Sequence, residues 1–153
     1  MIGAAALAVG ARLLMPNDRP FAPFQQWVMR AEGTRPSPLG LLIHPRYGLW
    51  QAFRGALLLD VPVADRALRE LNRAGEGVHP CDSCVAKPCL TACPVAAYSG
   101  EGFAHAACIS HIRSPEGKAC AGRCLARNAC PHGAEWRYPA EVQAFHQRAF
   151  TGP

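Results

Sequence analysis

Residues 81–94 read CDSCVAKPCLTACP, and the spacing Cys81-x2-Cys84-x4-Cys89-x3-Cys93-Pro94 decides how the rest of the chain is read. A second series answers it downstream: Cys108, then Cys120-x3-Cys124-x5-Cys130-Pro131. Together they hold all eight cysteines of the 153-residue chain, and each series ends in Cys-Pro. Closely spaced thiolates in a loop-rich segment can hold a soft metal centre. The Cys-Pro endings narrow the choice. In two-cluster ferredoxins the run C-x2-C-x2-C-x3-C-P gives three ligands to one [4Fe–4S] cluster and its last cysteine to the other. Eight thiolates divide evenly between two such cubanes, so the residues point to an iron–sulfur protein.

The crossed logic gives a specific ligand set. One centre takes Cys81, Cys84 and Cys89 and borrows Cys130; the other takes Cys108, Cys120 and Cys124 and borrows Cys93. A short loop can wrap three corners of a cubane, and the fourth must be met by another segment. The proline after each borrowed cysteine fixes φ near −65° and removes a backbone donor, turning the chain away. Two spacings depart from the compact run: residues 85–88 make four where two are usual, and eleven residues separate Cys108 from Cys120. These departures leave other pairings open.

Eight cysteines also admit other uses. Disulfides need an oxidising compartment. The N-terminal stretch MIGAAALAVGARLLM (1–15) has no lysine or arginine before its apolar run, as a secretory signal would. It is also shorter than the ~20 residues that span a bilayer. A cytoplasmic protein without a membrane segment is expected. Two structural zinc sites of four cysteines are the stronger rival, since C-x2-C is also a zinc knuckle. Only one C-x2-C pair occurs, however, and zinc gives no reason for the paired Cys-Pro endings. A c-type haem needs C-x-x-C-H, and Cys84 is followed by Val85.

The formal charge of +5 counts the cysteines as neutral. Each [4Fe–4S] core with four thiolates carries about −2, which leaves the loaded protein near +1. With arginines scattered and no basic run, nucleic acid is not an expected partner. Fourteen glycines and fourteen prolines point to much irregular chain.

Along the chain, residues 1–15 read as a buried helix, or the remnant of one, ended by Pro16. Residues 23–31 place Phe24, Trp27, Val28 and Ala31 at helical spacing, with Gly33 as a stop. The apolar runs LGLLIH (39–44) and LWQAFRGALLL (49–59) predict a β-hairpin around Tyr47-Gly48. Residues 64–74 read as an amphipathic helix. Residues 103–112 and 121–128 predict short helices around the second series, and residues 140–150 a terminal helix burying Val142, Phe145 and Ala149. The expected fold class is α+β: a small ferredoxin-like two-[4Fe–4S] domain with short helices around the clusters, preceded by a helical segment and a hairpin. The expected divisions are an extension (1–38), a hairpin and helix packing on the cluster module (39–75), the cluster domain (76–133) and a C-terminal helix (134–153).

These residues resemble a family. Leu41–His44 with Gly48-Leu49-Trp50 looks like the hairpin preceding the iron–sulfur module of epoxyqueuosine reductase. Cys81–Pro94 resembles that enzyme's first cluster series, Cys108-Ile109-Ser110-His111 its separately placed cysteine, and Cys120–Pro131 its closing series. Reductive dehalogenases share a similar module more distantly. The resemblance implies two [4Fe–4S] clusters, with Cys81, Cys84, Cys89 and Cys130 on one and Cys93, Cys108, Cys120 and Cys124 on the other. In these families the clusters pass electrons to a bound cobalamin. The resemblance covers about residues 39–133. Only 38 residues precede it and 23 follow Cys130, so no cobalamin-binding half or helical repeat is expected. It implies the electron-transfer module alone, with the sequence expected to be an N-terminally truncated part of a somewhat longer ferredoxin-like protein.

No catalytic residue is expected of an electron carrier, whose chemistry belongs to the cofactor. Its expected partners are a reductase and an acceptor protein; the sequence does not indicate an oligomeric state. Two alternatives remain: a subunit or reduced relative of an epoxyqueuosine-reductase-like oxidoreductase with a corrinoid held by a partner, and a structural zinc protein. His79, His111 and His132 lie near the cysteines as candidate sulfur hydrogen-bond donors. His44 reads as a turn histidine, and Lys87 as surface charge for docking an acidic partner.

Overall fold

The computed structural model describes residues 1–62 and 78–152. The helix expected over 64–74 lies outside the described residues. Two compact units divide the chain: Met1–Thr34 with Gln51–Glu76, and Arg35–Trp50 with Gly77–Pro153. The architecture is mixed, with helices and, among the described residues, two small antiparallel sheets.

In the first unit, helix α1 (Ile2–Ala8) is shorter than the apolar run that begins it. Gly10 adopts φ 63°, its N–H reaches the Leu7 carbonyl and the Ala11 N–H returns to Ala6 at 2.9 Å. That is the paired closure of a Schellman motif, and it stops the helix well before Pro16. The freed apolar residues form strand β1 (Arg12–Leu14), antiparallel to β2 (Ala56–Leu58) with Leu13 opposite Leu57. Helix α2 (Phe24–Glu32) matches its periodicity and ends at Gly33 in the left-handed conformation.

The expected hairpin of 39–44 with 49–59 is not formed. Two isolated bridges, Pro36 with Leu42 and His44 with Gly48, stand in its place, and the strand from the second run pairs with Arg12–Leu14. The burial pattern shows why. Leu42 and Ile43 are buried side by side, as are Leu49 and Trp50. A half-buried strand alternates faces and cannot bury neighbours together. Pro36, Pro38 and Pro45 also remove donors that a ladder needs.

The second unit carries the cysteines. Single helical turns α3 (Pro80–Ser83) and α4 (Pro88–Thr91) hold the first series. A tight hairpin, β3 (Tyr98–Ser99) with β4 (Gly102–Phe103), leads into α5 (His105–Arg113). Phe103 therefore starts no helix; it pairs and stacks with Tyr98 at 4.9 Å. The helix expected over 121–128 is two helices, α6 (Lys118–Gly122) and α7 (Leu125–Ala129), broken at the extended Arg123. The terminal helix α8 (Ala140–Thr151) forms, but Phe145 stays 60% exposed and Ala149 is exposed. The inner face carries Gln143 and Gln147 instead, one turn apart. Gln147 Nε2 donates to the Cys120 carbonyl at 2.7 Å, and Asn128 Nδ2 bridges Gln143 and the Cys124 carbonyl.

The main core cluster joins Leu39, Ile43, Leu49 and Ala126 to Cys89 and Cys130. It is fixed by a backbone-to-backbone contact. Gly48 and Gly133 both have positive φ, and a Cβ on Gly48 would meet the His132 carbonyl oxygen at 2.1 Å. Gly48→Ala is expected to lower the thermal midpoint by several degrees, on the order of 2 kcal/mol or more. An unchanged melting curve would show that this contact is not held in solution.

Candidate metal centres

The first series is placed by local capping. His79 Nδ1 accepts the Cys81 N–H at 3.3 Å, while its Nε2 lies 3.1 Å from the Arg35 carbonyl and so carries the proton. Arg35 pairs with Asp82 on the same turn and holds that carboxyl below its usual range through the hydrogen bond. Pro80 and Pro88 each open a helical turn, and these turns deliver Cys81 and Cys89. Cys130 follows helix α7, and His132 two residues on is tied to the Pro45 carbonyl.

These segments bring Cys81, Cys84, Cys89 and Cys130 to the wall of one cavity of about 320 Å³. Ile43, Leu49, Pro88 and Pro131 supply apolar lining there. The second set, Cys93, Cys108, Cys120 and Cys124, lines a separate tight cleft of about 20 Å³ closed by Ile112, Leu125 and Ala126. Cys108 and Cys124 also face a larger adjoining cavity of about 440 Å³, with Tyr98, Arg127 and Phe150 on its walls.

Electrostatics partition the thiols in the same way. Burial first, then Cys130, pushes the Cys81 thiol up, and burial followed by Cys130 and Cys84 does the same for Cys89. Burial, then Cys124, Cys93 and Cys120, raises Cys108; burial, then Cys124 and Cys93, raises Cys120. For each of these four groups, every thiol that acts on it belongs to its own quartet. All eight are free of disulfides.

Donors already point at the sulfurs. The Ala97 N–H reaches Cys93 Sγ at 3.3 Å, and the Arg127 N–H reaches Cys124 Sγ at 3.5 Å. Tyr98 Oη lies 3.8 Å from Cys124 Sγ, and burial beside Cys124 pushes its phenol well above the usual range. Arg127 stacks over Trp50 at 4.3 Å and Tyr138 at 5.2 Å while Nε donates to the Leu49 carbonyl. Burial lowers its pKa. Sequence reading passed over Tyr98, Arg127 and Gln147. Only the i, i+4 spacing of Gln143 and Gln147 was a visible signal.

Of the histidines, His79 and His132 make backbone hydrogen bonds through their rings, and His111 lines the second cleft. His44 Nδ1 accepts from the Arg46 and Tyr47 N–H groups, the behaviour of a turn histidine. Tyr47 and Trp50 pack edge-on against Trp136 and Tyr138.

No three His, Cys, Asp or Glu side chains among the described residues converge on a point as one ion requires. The first quartet stands around a roomy cavity, a donor set that fits a thiolate-bound cluster, whereas the second lines a cleft of about 20 Å³ that adjoins the larger cavity only at Cys108 and Cys124. No helix among the described residues is long and apolar enough to cross a membrane. Comparison with models of protein families, with curated proteins and with solved structures finds no match.

Proposed function

We propose that the chain is a ferredoxin-type electron carrier holding two [4Fe–4S] clusters, one in each thiol quartet. The observation that carries this reading is the crossing. Cys130, from the end of the second series, lines the cavity of Cys81, Cys84 and Cys89, and Cys93, from the end of the first, lines the cleft of Cys108, Cys120 and Cys124. Two-cluster ferredoxins divide their ligands in this way. The cytoplasmic setting and the resemblance to the epoxyqueuosine reductase module belong to the same proposal.

When bound, the clusters would supply one-electron chemistry. The residues of the chain do the rest. Eight thiolates hold the centres, the N–H groups of Ala97 and Arg127 neutralise sulfur charge, and Ile43, Leu49 and Ile112 keep water away. The loaded centres would give electrons to a protein partner without any further residue of the chain taking part. The carrier role is tested by mixing dithionite-reduced, desalted protein with oxidised cytochrome c. About two electrons per chain should be delivered, one per centre. A protein that dithionite cannot reduce contradicts the reading.

Loading should depend on pH. Burial raises the pKa values of the Cys81, Cys89, Cys108 and Cys120 thiols, and ligation requires thiolates. Their raised pKa values oppose ligation most at low pH, and the penalty falls as pH rises toward them. Reconstitution starts from thiols that are protonated at neutral pH in the unfolded chain as well, so anaerobic assembly is expected to accelerate several-fold from about pH 7 to about pH 9. A pH-independent rate would show that thiol ionisation does not limit assembly.

A further inference from the structure

The interval between Cys84 and Cys89 holds two residues more than a compact series, and the structure gives that surplus a use. Lys87 stands at φ 42°, ψ 52°, in the left-handed region that few non-glycine residues adopt. Pro88 then starts the turn that delivers Cys89. From this position Lys87 folds back over the preceding loop. Its Nζ donates to the Cys81 carbonyl at 2.6 Å and to the Cys84 carbonyl at 2.9 Å. The same side chain lines the cavity of Cys81, Cys84, Cys89 and Cys130. Asp82 nearby gives its carboxylate to Arg35, and Lys87 is the least of the influences on it. The ammonium is thus fixed by main-chain carbonyls at the wall of that cavity, and its charge acts on the Cys81 thiol.

We infer that Lys87 is a positioning residue that tunes the first centre: a cation anchored to the Cys81–Cys84 loop, placed to stabilise the extra negative charge of the reduced state. This rests on the two-cluster reading and goes beyond it by assigning the widened spacing a role. A fixed charge on the wall of one site acts on that site more than on a distant one. One centre should therefore respond to it and the other should not. The surface role read from sequence becomes a role inside the loop.

The test is an EPR-monitored redox titration of the reconstituted full chain, comparing wild type with Lys87→Gln and Lys87→Arg. Glutamine keeps a donor for the carbonyls and removes the charge; arginine keeps the charge. In Lys87→Gln, one centre should shift its oxidised-to-reduced ratio about tenfold toward oxidised at a fixed potential, or about 59 mV for one electron. The other centre, and both centres of Lys87→Arg, should stay near wild type. Unmoved potentials in a fully loaded Lys87→Gln would overturn the inference, as would an equal shift of both centres. Loss of half the iron in that variant would also overturn it, because Lys87 would then only hold the loop. A wild-type chain without iron would refute the two-cluster reading itself, so the two failures are distinguishable.

Discussion

Replacing Cys130 with alanine is expected to halve the bound iron, from about eight atoms per chain to about four. The thiols left uncovered should be Cys81, Cys84 and Cys89, none of which is close to Cys130 in sequence. The reason is the cavity these four share, and the rise that Cys130 imposes on the Cys81 and Cys89 thiols. Alanine is the instructive change, because a serine oxygen can still ligate. Iodoacetamide labelling of the loaded Cys130→Ala protein, followed by peptide mapping, reads the allocation directly. Crossing predicts labels on Cys81, Cys84 and Cys89, with Cys93, Cys108, Cys120 and Cys124 protected. Allocation series by series would place the labels on Cys108, Cys120 and Cys124 instead.

Stripping both centres should collapse the cysteine-bearing unit between Cys81 and Pro131. Two of the six residues of its main core cluster are cysteines, and three further cysteines pack against it. These thiols line cavities, and the helices of the first series are single turns too short to stand alone. A site absent from the unfolded chain makes binding energy into folding energy. Trp50 and Trp136 report the outcome, since both pack on tyrosines of this unit. Chelation under reducing conditions is expected to abolish most of the near-UV circular dichroism. An apo-protein with native-like near-UV signal would show that the polypeptide organises the loops unaided.

The cysteine frame was legible because ligand spacing is a local property that the sequence prints directly. Helix α2 was legible for the same reason, with its periodicity and the Gly33 stop inside one short window. The hairpin of 39–59 was misread because its apolar residues satisfy a strand pattern while the flanking prolines deny it a ladder; the outcome depended on β1, far away in sequence. The first helix was overextended because Gly10, one residue in an apolar run, outweighed the run. In helix α8 the apolar periodicity pointed to Phe145, whereas the glutamine face turns inward, Gln147 donating to the Cys120 carbonyl and Gln143 accepting from Asn128. Tyr98, Arg127 and the inward turn of Lys87 depend on tertiary placement, and no spacing rule announces them.

On this proposal, each of the two thiol quartets holds a [4Fe–4S] cluster. The most direct measurement is iron, sulfide and zinc analysis of anaerobically prepared protein, with absorption spectra before and after dithionite. The account predicts about eight iron and eight sulfide per chain, with a broad visible band that bleaches on reduction. A colourless protein holding two zinc ions would contradict it and leave the cysteines a structural role.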